Sequence, residues 1–387
     1  MGQNSSRPRI AFLTEANPFD KRSWSGSLYY IGQSLQQHCG DVAYVGPFVH
    51  PEPTLLNKIR TKSSLILLKQ RYLHETNMRD ARNFGKIATE KLAVLSPDLI
   101  VSAASQTVLA FLETTIPIVW VSDTNFLQLM GYYPYYSHLT RRSRHEVCII
   151  EQRALEKIHT FVITSTWGAR SVIEDYHADP KHVYVVPFGA NLDTVPGRAV
   201  VENRKLSERC TLLFMGVEWQ RKGGEIALAT LIELERLGVD TELIVCGCIP
   251  PANFTHPRMT VIPFLDKNDP HQQQQLEQLF ITSDFLLLPT RADGAPNVFR
   301  EAGAFGLPVI TTNTGGISSI IRDGVNGYML PSTAQGQDFA ALISAIYRDE
   351  QRYQRLALSS RTEYEERLNW DAWGQSVYDI LQSGLGS

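Results

Sequence analysis

Short apolar runs recur along this chain of 387 residues, each separated from the next by a stretch long enough for a helix. That alternation is the pattern of βαβ units and parallel sheets. In the first half the runs are Ile10 to Leu13, Val42 to Val45, Leu99 to Val101, Ile118 to Val121, Phe161 to Thr164 and Val183 to Val186. In the second they are Leu212 to Met215, Leu243 to Cys246, Val261 to Phe264, Phe285 to Leu288 and Val309 to Ile310. Residues 192–209, LDTVPGRAVVENRKLSER, are polar, contain Pro196 and Gly197 and keep no period, so they read as a connection between domains. The expected fold class is α/β: two Rossmann-like doubly wound domains, 1–191 and 210–366, facing each other across a cleft. Ligands of open α/β sheets bind beyond the carboxyl ends of the strands, which directs attention to the loops that follow them.

With 43% hydrophobic and 20% charged residues, the chain can bury real cores. A formal net charge of −3 supplies no global positive field for nucleic acid, so no nucleic-acid partner is expected. Five cysteines without a CxxC pair suit reduced thiols. No apolar run is long enough to span a bilayer, and the start MGQNSSRPRIAF lacks the order of a signal peptide, so a cytoplasmic protein is expected. Gly2 and Ser6 fit the loose N-myristoylation pattern, although a polar leader is the plainer reading. No HExxH and no His–Cys ligand spacing occurs, so no metal is expected.

Neither GxxxxGK[ST] nor a strand-bound GxGxxG is present, which weighs against an ATPase or a simple dinucleotide dehydrogenase. In TEANPFDKRSWSGSLYYIGQSL, residues 14–35, Ser25 and Gly26 head a helical stretch, where they either bring backbone N–H groups to an anion or simply cap the helix. The strongest signal is SDFLLLPTRADGAPNVFREAGAFGLPVITTNTGG, residues 283–316. Asp293 falls in a loop after an apolar run and Glu301 in the helix that follows, with Gly294, Ala295, Pro296, Asn297 and Val298 between them. Two carboxylates so placed can grip separate parts of a polyhydroxylated ligand; a capping Asp and a solvated Glu are the alternative.

The stretch DGAPNVFRE, 293–301, resembles the E-x7-E donor signature of the retaining family 4 glycosyltransferases of GT-B fold, here as D-x7-E. AGAFGLPV (302–309) matches the continuation, and Gly315 and Gly316 match the glycine pair. FMGVEWQRKGGEIAL (214–228) resembles the segment with the phosphate-binding lysine, and IRDGVNGYML (321–330) the DGxxG close. TSTWGARSVIEDY (164–176) and VVPFGANLD (185–193) are similar to further segments of the family, so the likeness runs along most of the chain and is loosest over 45–150.

The resemblance implies that Glu301 binds the ribose hydroxyls of a nucleotide sugar and that Asp293 contacts the sugar being transferred. Lys222, with Arg221, neutralises the diphosphate, beside Gly216 and a helix start at Gly315 and Gly316. Charge gathers on the departing diphosphate as the glycosidic bond breaks, and fixed cations can stabilise it without a metal or cofactor. It also implies that the amphipathic stretch 367–383 packs back on the first domain. The departures are Asp293 in place of Glu, Val217 where an arginine usually follows the strand glycine, and Ser25-Gly26 in place of Gly-Gly. After the fourth run, Asp123 either orients or deprotonates an acceptor hydroxyl or caps the next helix. Asn17 and Trp24, with Tyr132 and Tyr133 from GYYPYYSHL (131–139), are candidate acceptor contacts, core packing being the alternative for the tyrosines. Residues 58–91 carry six more cationic than acidic groups, and a membrane surface or an anionic acceptor could match them.

The function implied is a retaining glycosyltransferase that moves a sugar from a nucleotide diphosphate sugar to an acceptor hydroxyl. UDP-sugars are favoured and GDP-mannose comes next. The acceptor is a glycan, a glycolipid or a small molecule. A GT-B-like nucleotide-sugar epimerase and a non-catalytic sugar-nucleotide binding subunit are the alternatives.

Overall fold

The computed structural model describes residues 7–52 and 54–384, so Gly2 and Ser6 lie outside the described residues. The chain folds as two compact units, residues 1–186 with 374–387, and residues 187–373.

The first unit holds a parallel sheet of β1 (Arg9–Thr14), β2 (Asp41–Val45), β3 (Leu99–Ala103), β4 (Ile118–Ser122), β5 (Thr160–Ile163) and β6 (Val183–Val185), in the order β2-β1-β3-β4-β5-β6. Strands β3 and β4 are buried throughout, as continuous apolar runs in the middle of a parallel sheet must be. The helix Met78–Leu95 starts at Asn77, whose side chain accepts from Arg79 N and Asp80 N, and turns Ala81, Phe84, Ala88 and Leu92 into the core. The basic stretch 58–91 is therefore two different objects: this core-packed helix, and a separate helix Leu55–Leu68 with exposed leucines.

Among the described residues of this unit, one acid is buried. Glu151, on the helix Arg141–Leu155, accepts from Phe126 N at 2.8 and 2.9 Å, from Gln106 Nε2 at 3.3 Å and from the Tyr176 hydroxyl. It thereby ties the loops after β3 and β4 to the helix beneath them. Burial pushes its pKa up to about 7, although these hydrogen bonds oppose the shift.

The second unit holds a parallel sheet of β7 (Cys210–Met215), β8 (Thr241–Cys246), β9 (Met259–Ile262), β10 (Phe285–Leu288), β11 (Val309–Thr312) and β12 (Gly327–Leu330). Its order, β12-β11-β10-β7-β8-β9, is the 3-2-1-4-5-6 order of dinucleotide-binding sheets, with the switch point between β7 and β10. The closing strand β12 has no counterpart among the apolar runs read from the sequence, because DGVNGYML has few of the β-branched residues that mark a strand.

Residues 192–209 are not a free connection between domains. They belong to the second unit, whose first residue is Pro187, and they contain the helix Arg198–Glu202 with Val201 buried against Gly306. Arg204 donates to Tyr353 Oη at 2.9 Å, to the carbonyls of Phe305 and Phe280 at 3.1 Å each, and to the Ser283 carbonyl. These bonds override the polar, proline-containing composition that suggested a tether. The last helix runs Trp370–Gly384: Trp370 and Trp373 pack on Phe188 in the second unit, and residues from Gly374 onward count with the first, where Cys39 Sγ bonds the Gly374 carbonyl.

Glu151 makes acid stability testable. The folded carboxyl keeps its proton up to about pH 7, whereas the unfolded one loses it near 4.5. Between those values the folded state binds more protons, so the stability this group contributes at acid pH is lost as pH rises. Thermal melts should show the wild-type midpoint falling relative to Glu151→Gln from pH 4.5 to 7. Parallel curves would contradict the assignment.

Candidate functional site

In the second unit the switch point brings together two loops distant in sequence. After β7 the chain runs through Gly216 to Lys222, two residues before the helix Gly224–Arg236. Gly223 sits between them at φ +80°, and a Cβ there would lie 1.9 Å from the Pro289 carbonyl oxygen, so no other residue fits. Gly216 lets the lysine stem cross it, since a Cβ would come within 2.8 Å of Lys222 Cγ.

Lys222 Nζ is 2.6 Å from Asp293 Oδ2, in the loop after β10. Thr290 Oγ1 donates to the same oxygen at 3.1 Å, and Arg221 Nη1 lies 3.7 Å from Asp293 Oδ1 while donating to the Ala292 carbonyl at 2.9 Å. Arg221 is also held by Glu218 at 2.9 Å. The Lys222 and Asp293 side chains are 11% and 7% exposed, so this is a buried ion pair and not a surface one. Burial pulls the Lys222 pKa below the ordinary lysine value; Asp293 opposes that pull and Arg221 adds to it.

Glu301 lies in the helix Asn297–Ala304, with Pro296 as its N-cap, and is 2% exposed. Its Oε1 meets Lys267 Nζ, which also donates to the Asn191 carbonyl at 3.3 Å. Both carboxylates of the D-x7-E pattern are thus buried and paired with lysines, which excludes the reading of a capping Asp and a solvated Glu. Gly294 and Val298 are buried beside them, and Ala295 and Asn297 are half-buried.

The expected helix start at Gly315 and Gly316 is corrected. Only the three-residue 3₁₀ turn Ile317–Ser319 follows, too short to sum peptide dipoles, and Gly316 N donates to the Asp293 carbonyl at 3.2 Å. The glycine pair therefore supports the Asp293 loop.

In the first unit, Trp24 and Ser25 adopt left-handed φ of 47° and 55° and Gly26 follows at 93°, heading the helix Ser27–Ser34. Asp123 is half-buried in the loop after β4, and it does not cap the next helix: Asn125 does, accepting from Gln128 N at 3.1 Å. Tyr132 packs on Tyr133 at 5.4 Å and on Trp167 at 5.2 Å between ring centroids, and both tyrosines are half-buried. Asn17 is exposed and accepts from Phe19 N at 3.0 Å.

Sequence reasoning missed Lys267, Thr290 and His50. Lys267 and Thr290 stand in loops just after strands, the one signal that could have flagged them. His50 follows β2 and bonds Glu15 Oε1 at 2.8 Å, with Asp80 at 3.5 Å on its other nitrogen. Among the described residues, no three His, Cys, Asp or Glu side chains gather as a metal site.

Residues 209–349 match the family model for glycosyl transferases group 1, which covers β7 to the helix after β12. The chain is 24% identical over 255 residues to a D-inositol 3-phosphate glycosyltransferase of Corynebacterium kroppenstedtii. Over residues 209–349 the chain is therefore similar to the group 1 glycosyl transferases. That alignment spans 61% of the chain and 56% of the relative, so the chain matches little more than half the length of such curated relatives. Sucrose-phosphate synthase from Thermosynechococcus elongatus superposes with a TM-score of 0.69 at 16% identity, covering 98% of this chain and 100% of that one. Anabaena HepE in complex with UDP superposes at 0.65 and 15% identity, covering 97% and 100%. These neighbours share the fold of this chain, two six-stranded parallel sheets flanked by helices.

If Lys222 and Asp293 are a coupled pair, removing one partner should cost more than removing both. Asp293→Ala strands a buried ammonium and should cost about 3 kcal/mol in denaturant unfolding, whereas Lys222→Met with Asp293→Leu should recover most of that loss. Additive losses would contradict the coupling.

Proposed function

We propose that this chain is a glycosyltransferase that moves a sugar from a nucleotide diphosphate sugar, UDP-sugars first and GDP-mannose next, to a hydroxyl of a glycan, glycolipid or small molecule, keeping the α configuration. The observation that carries the reading is the buried Lys222–Asp293 pair at the switch point of the second sheet, one loop away from the Glu301–Lys267 pair. A diphosphate supplies the negative charge that Lys222 and Arg221 attract. It would take over part of the counter-charge now supplied by Asp293 and leave that carboxylate to accept from hydroxyls of the transferred sugar. Likewise a ribose diol offers Glu301 two donors in exchange for Lys267. That HepE has been crystallised with UDP and with UDP-glucose agrees with a uridine donor.

In the reaction, the bond from C1 to the phosphate oxygen breaks and the bond from C1 to the acceptor oxygen forms on the same face. Its proton passes to the departing phosphate or to Asp123, which we assign to the acceptor. Lys222 and Arg221 hold the charge that gathers on the diphosphate, so no metal is required.

Acceptor-dependent release of nucleotide from a panel of UDP- and GDP-sugars tests this, and chelation by EDTA should leave the rate unchanged. Lys222→Ala should lower kcat by about 100-fold or more, and Glu301→Ala should act mainly on the donor KM. Sugar isomers formed without acceptor, or binding without turnover, would replace the reading with an epimerase or a non-catalytic subunit.

Donor affinity should also depend on pH. Burial lowers the Lys222 pKa in the free protein, and a bound diphosphate raises it again, so binding at alkaline pH takes up a proton. The Kd for UDP should therefore rise as pH rises, and Lys222→Met should flatten that dependence, as read by calorimetry in buffers of different ionisation enthalpy. Equal slopes in both proteins would contradict the assignment of Lys222.

A further inference from the structure

The helix Leu55–Leu68 of the first unit is built the wrong way round for a globular protein. Surface helices ordinarily turn an apolar stripe to the core and polar residues to water. Here the least exposed side chains are polar: Ser64 is buried, Asn57 and Thr61 are half-buried along the same seam four and three apart, and Ser63 is half-buried beside Ser64. Leu55, Ile59 and Ile66 fall on the opposite side, Leu56, Leu65 and Leu67 toward the flanks, and Leu68 at the end of the seam; all seven are between 54% and 78% exposed. Isolated exposed leucines are ordinary, but a continuous stripe of them marks a surface that something covers.

The charges identify what covers it. On the helical projection, Lys58, Lys62 and Lys69 run along one edge of the stripe and Arg60 stands on the other, all exposed. No acidic residue occurs between Glu52 and Glu75. A second copy of the chain docked on this stripe would bring cationic edges against cationic edges. An anionic lipid surface takes the apolar stripe at the acyl boundary and offers phosphates at the depth of the lysines and arginine. Thr54 caps the start of the helix, and just beyond its end Gln70 N donates to the Ser64 carbonyl, Arg71 N to the His138 carbonyl and Thr140 N to the Arg71 carbonyl. Among the described residues no helix is long and apolar enough to cross a membrane, so this segment would rest on the surface and not span it.

We propose that the helix Leu55–Leu68, with Lys69, seats the chain on an anionic phospholipid surface. The neighbouring helix Met78–Leu95 takes no part, because its apolar face is already committed to the core.

The test is co-sedimentation of the full chain, without nucleotide, with vesicles of phosphatidylglycerol and phosphatidylcholine or of phosphatidylcholine alone. Partitioning should be at least about tenfold stronger on the anionic vesicles and should weaken with added salt. Ile59→Ser with Ile66→Ser, and separately Lys58→Gln with Lys62→Gln, should each lower it about tenfold while the melting midpoint stays that of wild type. Ile66→Trp should show a blue-shifted emission on anionic vesicles. The proposal is overturned if wild type stays in the supernatant, binds neutral vesicles equally well, or binds no better than the variants. It is also overturned if light scattering shows a dimer that Ile59→Ser with Ile66→Ser dissolves. Because no nucleotide is present, the outcome is independent of the donor site.

Discussion

A lysine ammonium taken out of water must find a counter-charge, and Lys222 finds it in Asp293. The two residues are far apart in sequence and meet only because β7 and β10 are neighbours in a sheet whose strand order reverses between them. Much of the local backbone serves that meeting. Gly216 yields to the lysine stem, Gly223 turns the chain where a Cβ would strike Pro289, and Gly316 ties its own loop to the Asp293 carbonyl. Arg221 is held in place by Glu218 and the Ala292 carbonyl, so a second cation waits beside the first.

On the proposed reading, the two buried ion pairs are placeholders. A protein that held Lys222 and Glu301 unpaired would bear the desolvation cost of both, whereas pairing each with a residue of opposite charge keeps the empty site stable. A nucleotide sugar then gains only the difference between its own contacts and the pairs it replaces. The same exchange favours a ligand that carries a diphosphate and a vicinal diol together, because either group alone disturbs one pair and leaves the other in place.

Much of this could be read from the residues. The apolar runs mark eleven of the twelve strands among the described residues, and DGAPNVFRE with its glycines located the loop that holds Asp293 and the helix that holds Glu301. What could not be read was set by tertiary partners. Lys267 sits in LDKND with no local period, and only the packed sheet shows that it reaches Glu301. The stretch 192–209 has the composition of a tether, yet Arg204 and Val201 fasten it to the second core. The polar seam of Leu55–Leu68 was equally invisible, since periodicity locates an apolar face without saying which way it points.

On the proposed reading, the Lys222–Asp293 and Glu301–Lys267 pairs form a nucleotide-diphosphate-sugar site. A crystal structure of the protein with UDP tests it most directly. Diphosphate oxygens should lie within hydrogen-bond distance of Lys222 Nζ and ribose hydroxyls on the Glu301 carboxylate, with Lys267 displaced from it. UDP bound elsewhere, with both ion pairs intact, would rule out this site.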